Sequence, residues 1–361
     1  MKAVLVLNVE YTPLSTPLDT TIVINHAQTH HLLESAIMEI LTTRWPQITA
    51  TTALVTYAHT RHKLTPAGIL AGILVAGIHM LHPWPAFFWL LIIFFVLGTG
   101  VTRVGKKVKA GLTISYSGGK SAKVASAHGE GEGEGEGGEG ARTSTQVFAN
   151  SGWACVLILL HTWLLNNSTP FTSSLLPLSP GPYFPALAAL LPIGIIAQYA
   201  AVAADTFSSE LGILAKTKPF LITAPWRRVP AGTNGGVTVD GVLYGGLGGA
   251  LLTITAAAAL RVLPPYIGLD VGTMGLLTLS GLVGTVLDSV LGALVQATVT
   301  DGKSGKVVEG HGGQRVVVGG SRVRMGGVDL LTNNGVNFVM AMVTSVAAMG
   351  TAYVSGVGTG R

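Results

Sequence analysis

Seven apolar segments dominate this chain of 361 residues, and each is long enough, or nearly so, to cross a bilayer. A membrane-spanning helix needs about 20 predominantly apolar residues. A mean hydropathy of +0.54, with 11% charged residues, excludes the class of soluble proteins. The pattern predicts an all-α fold, a polytopic transmembrane helical bundle of about seven spans (six to seven), the first being the shortest. The apolar windows lie near residues 66–82, 84–102, 147–165, 184–204, 241–260, 271–296 and 329–354.

Lysine and arginine residues are concentrated in alternate loops, after the second, fourth and sixth predicted spans. Cytoplasmic loops are enriched in these residues. We therefore predict a cytoplasmic N-terminal side, seven crossings and a C-terminus on the opposite side. No nucleic-acid-binding motif accompanies the net charge of +5, so nucleic acid is not an expected partner. Arg61 and Lys63 precede the first span on the same predicted side. The basic loop residues are Arg103, Lys106, Lys107, Lys109, Lys120, Lys123 and Arg142; Lys216, Lys218, Arg227 and Arg228; and Lys303, Lys306, Arg315, Arg322 and Arg324.

Two parts of the chain depart from this apolar pattern. Residues 1–60 have mixed polarity and are interpreted as an N-terminal extension whose structure the sequence does not define. Residues 61–354 are interpreted as the transmembrane domain. Within it, a Gly/Glu-rich tract at about 115–142 is too polar to pack and predicts a disordered cytoplasmic insertion. The single cysteine, Cys155, excludes an intramolecular disulfide.

Three acidic residues within or at the end of apolar segments are candidate catalytic residues: Asp205, Glu210 and Asp288. A carboxylate at membrane depth costs about 2.5–3.5 kcal/mol on insertion scales, so it normally faces the bundle interior and is paired or functional. At 100° per residue, Glu210 projects about 140° away from Asp205, which argues against a shared clamp on one helix. Asp288 lies four residues from both Gly284 and Gly292, and these glycines allow close helix packing.

The loop after Asp205 contains residues suited to phosphate binding. Arginines bind phosphate oxygens in pairs, and glycines let backbone amides approach an anion. Mg²⁺ binds through one or two carboxylates plus phosphates, so a nucleotide phosphate bridged by Mg²⁺ to Asp205 is one interpretation. The other is that the arginines only set the topology and the glycines only form a turn. The residues concerned are Arg227, Arg228, Thr233, Asn234, Gly235 and Gly236.

The last apolar segment opens with the amides Asn333, Asn334 and Asn337. They are interpreted either as helix capping or as contacts to a nucleotide or lipid phosphate at the helix N-terminus.

Two other sets of residues have a structural interpretation. A four-residue glycine spacing favours close helix packing, at Gly241, Gly245 and Gly249. Three histidines near span ends lack the spacing of metal ligands and are interpreted as residues of the membrane interface: His79, His82 and His161.

Six sequence blocks, in this order, resemble the membrane family called domain of unknown function 92, whose animal members are called transmembrane protein 19. The resemblance covers about residues 61–354. The region around Asp205 is also similar to that of CTP-dependent polyprenol kinases and phosphatidate cytidylyltransferases, although Arg227 and Arg228 stand where those enzymes have lysines. The blocks are GTGVTRVGKKVKAGL, NSGWACVL, YAAVAADTFSSELGIL, PFLITAPWRRVPAGTNGGVT, GLVGTVLDSVLGALVQAT and TNNGVNF.

The plant branch of this family includes phytyl-phosphate kinase, so the resemblance implies a nucleotide-dependent kinase of isoprenoid (phytyl or polyprenyl-type) lipid phosphates. It implies a nucleoside triphosphate donor such as CTP, Mg²⁺ held by Asp205, and an internal membrane such as the endoplasmic reticulum. The arginines and the Thr233–Gly236 run would bind phosphates, and the other acids and the asparagines would complete the site. The alternative is a transporter or lipid-handling protein that uses the same acids without nucleotide chemistry. The sequence does not define the oligomeric state.

Overall fold

Long apolar helices make up most of the computed structural model, which describes residues 34, 38, 41–116, 134–136, 140–167 and 185–358. The contacts divide the chain into two units, residues 1–48 and residues 49–361. The features discussed below belong to the second unit. Most of the predicted N-terminal extension lies outside the described residues, although its last part is helical.

Six of the described helices, α3 and α5 to α9, are long and apolar enough to cross a membrane. α2 is a shorter apolar helix of 16 residues. The polytopic bundle of six to seven spans is therefore confirmed. In chain order the helices are α1 (Trp45–Thr60), α2 (Pro66–Leu81), α3 (Pro85–Arg103), α4 (Lys106–Ala110), α5 (Ser144–Asn167), α6 (Pro185–Gly212), α7 (Val239–Val262), α8 (Val271–Val295) and α9 (Asn333–Ser355).

Side-chain caps define where four of the described helices begin. Thr65 accepts a hydrogen bond from the Gly68 amide at 3.0 Å at the start of α2. Equivalent caps are made by Thr238 for α7, Asp270 for α8 and Thr332 for α9. Each cap satisfies a backbone N–H that the helix itself leaves without a partner.

Helix α6 occupies the centre of the bundle and packs against α3, α5, α7, α8 and α9. Its segment 193–204 is buried throughout and rich in alanine. Small side chains let the neighbouring helices approach the α6 backbone closely. The central position of α6 also brings Asp205, the next residue along, into the interior of the protein.

Glycines bring α7 and α8 into direct backbone contact, as their spacing predicts. A Cβ atom at Gly281 would lie 2.9 Å from the Gly249 Cα and 3.1 Å from the Ala200 carbonyl oxygen. A Cβ at Gly245 would meet the Thr285 methyl group at 3.0 Å. The close helix packing predicted for this glycine series is thus confirmed.

The three predicted interface histidines are buried inside the bundle instead. His79 Nε2 lies 2.7 Å from the Tyr199 hydroxyl, and His82 Nε2 lies 2.9 Å from His161 Nδ1. The prediction of an interface position was wrong. These histidines lie near span ends but are buried, because their ring nitrogens form hydrogen bonds with side chains of neighbouring helices.

The loops at one end of the bundle contain short strands, which the apolar pattern does not predict. A five-stranded sheet has the order β2-β1-β7-β6-β8, and a three-stranded sheet has the order β4-β3-β5. The strands are β1 (Thr113–Tyr116), β2 (Glu134–Glu136), β3 (Phe220–Leu221), β4 (Ala224–Arg228), β5 (Gly236–Val237), β6 (Thr298–Asp301), β7 (Val307–Gly310) and β8 (Arg322–Gly326).

Pairing between strands brings the three basic loops together. β1, from the loop after α4, runs parallel to β7, from the loop after α8, with Thr113 opposite Val307. The loop after α6 joins them, because Asn234 donates to the Ala297 carbonyl next to β6 at 2.9 Å. All three loops therefore lie at the same end of the bundle, as the alternation of charge predicts.

The Gly/Glu-rich tract at 115–142 lies partly outside the described residues, which leave out 117–133 and 137–139. Its described segment Glu134–Glu136 is strand β2, which pairs antiparallel with β1. We expected disorder throughout this tract, so this strand is an addition to the prediction.

Replacing Gly281 by Ala tests the close packing of α7 and α8. The added methyl group would overpack the contact with Gly249, and overpacking typically costs about 1–3 kcal/mol. We expect the Tm of purified protein to fall, whereas Gly275→Ala on the same helix, with no heavy atom within 4 Å of its Cβ, should leave it unchanged. Equal Tm values for the two variants would contradict this packing.

Single cysteines in a Cys155→Ser background test the orientation of the loops. Lys218 and Lys303 are exposed in two basic loops, and Gly268 is exposed in the connection between α7 and α8. In sealed vesicles, a membrane-impermeant maleimide should label Lys218→Cys and Lys303→Cys from one side and Gly268→Cys only from the other. Labelling of all three positions from one side would exclude the predicted topology.

Candidate active site

A polar cavity of about 460 Å³ lies where the three basic loops meet the ends of the helices. Among the described residues, six Lys or Arg side chains and five Asp or Glu side chains line it. Basic and acidic side chains are therefore nearly equal in number around the cavity, and two of the basic ones, Lys109 and Arg315, form ion pairs with acids of the same lining. The basic residues are Lys63, Arg103, Lys106, Lys109, Arg142 and Arg315, and the acidic residues are Asp205, Glu210, Asp288, Glu309 and Asp329.

Asp205 on α6 and Asp288 on α8 both line this cavity, with their carboxyl groups close enough to interact. Both side chains are partly buried. The approach follows from the packing one turn earlier, where a Cβ at Gly284 would lie 2.6 Å from the Ala201 Cβ. Each aspartate follows one of these small residues by four positions and so lies on the same helix face. The close contact between α6 and α8 therefore places the two carboxyl groups beside each other one turn further along.

An amide from α9 completes the surroundings of this pair. In the orientation that satisfies its hydrogen bonds, the Asn337 side chain donates to Asp288 Oδ1 at 3.3 Å and to the Asn333 carbonyl oxygen at 3.0 Å. The Asn150 side-chain oxygen of α5 lies 3.4 Å from the same amide group. Asn333, Asn337 and Asn150 all line the cavity.

Asn334 also lines the cavity, but its side chain has a structural contact. It donates to the Gly312 carbonyl oxygen at 2.9 Å and so connects α9 to the loop after β7. The capping of α9 comes from Thr332, whose hydroxyl accepts from the Gly335 amide at 3.2 Å. The asparagines are therefore not the side-chain cap of α9, and the capping interpretation of this cluster is not what the structure shows.

Glu210 does not join the aspartate pair, as its direction on the helix predicts. It forms an ion pair with Lys109 of α4, and both side chains line the cavity. Lys109 also donates to the Thr102 carbonyl oxygen at 2.8 Å. The pair connects the basic loop after α3 to the end of α6.

The run Thr233–Gly236 forms one wall of the cavity. Gly235 has a φ of +74°, and a Cβ there would lie 2.7 Å from the Ser289 carbonyl oxygen of α8. The Asn234 amide donates to Thr298 Oγ1 at 3.1 Å, and the Gly236 amide donates to the Thr233 carbonyl oxygen at 2.8 Å. The turn is thus held firmly against the helix that carries Asp288.

Arg227 and Arg228 lie apart from these residues. Both are exposed on β4, and neither is among the described residues that line the cavity. Arg228 donates to the Lys218 carbonyl oxygen at 3.0 Å and lies over the Phe220 ring, 5.9 Å from its centroid. The structure does not bring these two arginines to the carboxylates.

The basic residues that do line the cavity were identified in the sequence only as indicators of topology. Arg103 ends α3 and Lys106 begins α4. Lys63 and Arg142 lie just before α2 and α5, and all four are far in sequence from Asp205 and Asp288. No fixed spacing relates them to the acids. The only feature that they share in the sequence is that all lie on the side predicted to be cytoplasmic.

The two aspartates could serve as ligands of Mg²⁺ only together with ligands from a bound molecule or from water. Among the described residues, no group of three or more His, Cys, Asp or Glu side chains could hold a metal ion. Asp205 and Asp288 supply carboxylate oxygens, whereas Asn337 turns its amide nitrogen towards Asp288. Mg²⁺ prefers oxygen ligands and usually binds one or two carboxylates together with phosphates and water.

Fold and site together define a class, that of polytopic helical membrane proteins with a carboxylate-containing polar cavity at one end of the bundle. The chain belongs to the family described as Integral membrane protein DUF92, which it matches over residues 49–345.

Three relatives have different coverage. Protein PGR of Arabidopsis thaliana is 32% identical over 293 residues, which cover 80% of this chain and 88% of that protein. An uncharacterized membrane protein of Methanocaldococcus jannaschii is 38% identical over 29% of this chain and 40% of its own length. One of Synechocystis is 36% identical over 29% of this chain and 38% of its own length. No solved structure matches.

The Lys109–Glu210 pair can be tested by a double-mutant comparison. Their side chains are only 12% and 17% exposed, and removal of one partner from a buried pair costs about 3–5 kcal/mol because a charge remains uncompensated. We expect Lys109→Met to lower the Tm more than the double variant Lys109→Met/Glu210→Gln does. A double variant as unstable as the sum of its single variants would argue against a direct pair.

Proposed function

We propose that this protein transfers a phosphoryl group from a nucleoside triphosphate, such as CTP, to an isoprenoid lipid phosphate of the phytyl or polyprenyl type. We place this activity in an internal membrane such as the endoplasmic reticulum. The observation that supports it is the pairing of Asp205 with Asp288 in a cavity that is also lined by six basic side chains. Phosphoryl transfer depends mainly on positioning and on neutralising phosphate charge.

In this proposal the basic residues of the cavity bind phosphate, the role that the sequence interpretation gave to Arg227 and Arg228. Lys63, Arg103, Lys106 and Arg142 line the cavity and would bind the nucleotide and lipid phosphates. Charge-assisted hydrogen bonds of this kind are about twice as strong as neutral ones. The wall formed by Thr233–Gly236 would limit where the phosphates lie.

The two aspartates would hold Mg²⁺, which when bound neutralises charge on the transferring phosphate. Two ionised carboxylates close to each other repel, and a bound cation would reduce that repulsion. Asn337 would position Asp288 through its hydrogen bond to Oδ1. Glu210 is already paired with Lys109 and would therefore fix the position of this lysine in the cavity lining.

The reaction needs no strong general base. An oxygen of the lipid phosphate attacks the γ-phosphorus, the bond from that phosphorus to the β-bridging oxygen breaks, and a nucleoside diphosphate leaves. The product is a lipid diphosphate. The attacking oxygen is already anionic, so the surrounding lysines and arginines stabilise charge without having to remove a proton.

A transporter that moves protons or cations would also use paired intramembrane carboxylates. The six basic residues around the cavity favour the kinase, because positive side chains repel a cation on its path and attract phosphates.

Asp205→Asn and Asp288→Asn test the proposed reaction, with Asp240→Asn as the matched control. Asp240 is exposed at the start of α7 and does not line the cavity. With phytyl monophosphate, CTP, ATP, UTP or GTP, and Mg²⁺, we expect formation of the lipid diphosphate with one preferred donor. The cavity variants should lose more than the roughly 10–100-fold that changes in outer-shell metal partners cost.

Thermal shift provides a second measurement. A nucleotide at a hundred times its Kd stabilises the folded state by about 2.7 kcal/mol. The shift should require Mg²⁺ and disappear in Asp205→Asn, but persist in the control. Full activity of folded Asp205→Asn would refute the site, and the absence of any nucleotide effect on folded wild-type protein would favour transport.

A further inference from the structure

A basic hairpin follows α6, and the proposed function does not use its charge. We define it as residues 216–228, which include Lys216, Lys218, Arg227 and Arg228 and no Asp or Glu. All four side chains are exposed, and none of them lines the polar cavity. None forms an ion pair with any residue that the structure describes. The hairpin therefore presents positive charge that no described acid pairs with.

A large aromatic side chain, Trp226, projects from the same hairpin. It is 84% exposed, more than any other aromatic side chain among the described residues. The register of β3 with β4 shifts between Phe220 and Leu221, which leaves Trp226 and Arg227 in a bulge. Bulged residues are unpaired, and the bulge redirects their side chains. Because tryptophan is highly buried on average, this exposure indicates a contact outside the chain.

The hairpin lies beside the start of a membrane span. Phe220 of β3 pairs with Val237 of β5, and Val237 precedes Val239, the first residue of α7, by two positions. Val239 and Leu243 are 65% and 67% exposed, as expected where α7 begins to face lipid. β5 packs against α8, whereas β4 is the outer strand, about 10 Å away at two strand spacings. Trp226 on β4 is therefore within reach of the lipid headgroups.

A tryptophan next to basic side chains has the composition of a membrane-interface contact. The Trp ring is amphipathic and is enriched where membrane meets water. Lys and Arg side chains near an anionic leaflet are attracted to its headgroups. An acidic protein would also attract this charge, but the hairpin begins four residues after Gly212, the end of α6, so a bilayer always adjoins it. This permanent proximity favours lipid as the partner.

We propose that the basic hairpin binds the headgroups of anionic lipids, with Trp226 at the membrane interface and Lys216, Lys218 and Arg227 in contact with headgroup phosphates or carboxylates. Arg228 instead supports the hairpin, because it donates to the Lys218 carbonyl oxygen at 3.0 Å. This lipid contact is independent of the phosphoryl transfer proposed above, since its residues do not line the polar cavity.

Quenching of a fluorophore by spin-labelled lipid tests this contact in the whole chain. The fluorophore is attached to Thr223→Cys in a Cys155→Ser background, because Thr223 is exposed in the turn between β3 and β4. The protein is reconstituted into phosphatidylcholine nanodiscs with a titrated fraction of phosphatidylserine or phosphatidylcholine that carries a nitroxide near its headgroup. The fraction that gives half-maximal quenching measures the affinity of the hairpin for each headgroup.

We expect phosphatidylserine to quench at a lower fraction than phosphatidylcholine does. Arg227→Gln should raise the required fraction of phosphatidylserine by about fivefold, the contribution of one Lys or Arg near an anionic surface. Arg324→Gln is the matched control and should have no effect, because Arg324 is also exposed on an edge strand but lies in the other sheet. High salt should remove the preference for phosphatidylserine. Trp226→Ala should weaken quenching by both lipids at any salt concentration.

Equal effects of Arg227→Gln and Arg324→Gln would overturn the proposal, because the net charge of the loops would then explain the attraction. Equal quenching by the two lipids would overturn the selection of anionic headgroups. A label that neither lipid quenches would overturn the membrane contact and indicate an acidic protein as the partner of this surface. The side chains of Trp226 and Arg227 are exposed, so an unchanged Tm separates loss of lipid contact from unfolding.

Discussion

The close contact of α6 with α8 is the constraint on which the candidate site depends. Gly281 and Gly284 pack against Ala200 and Ala201 at distances that leave no room for larger side chains. This contact carries two carboxylates into one cavity, although a single carboxylate at membrane depth is already unfavourable. Stability and function are therefore linked here, because the small residues that allow the helices to pack also set the separation of Asp205 from Asp288.

The basic loops have two roles in this architecture. Their charge agrees with a cytoplasmic position, and strand pairing then folds them over the ends of the helices. The β1–β7 pairing and the Asn234 contact bring three distant loops around one cavity. Residues such as Lys106 and Arg142 consequently line the cavity as well as marking the side of the membrane.

Much of the fold could be predicted because membrane helices have a strong local signal. The spans, the common side of the basic loops and the close packing at Gly249 follow from hydropathy, charge and spacing, whereas its partner Gly281 had no signal of its own. The strands could not be predicted, because they are only two to five residues long and some of their pairings, such as that of β1 with β7, join segments far apart in sequence. The candidate site also has a part with a local sequence signal and a part without one. Asp205 and Asp288 are conspicuous in apolar segments, whereas the Lys109–Glu210 pair spans 101 positions and has no local pattern.

The pairing of β1 with β2 determines how the Gly/Glu-rich tract relates to the rest of the protein. Tyr116 and Glu134 lie directly opposite each other in the sheet, so the two ends of the intervening segment are held together. Lengthening a loop whose ends are held together costs little, about 0.6 kcal/mol for each doubling. The tract can therefore gain or lose repeats over evolution while β1 keeps its register with β7 and the cavity keeps its walls.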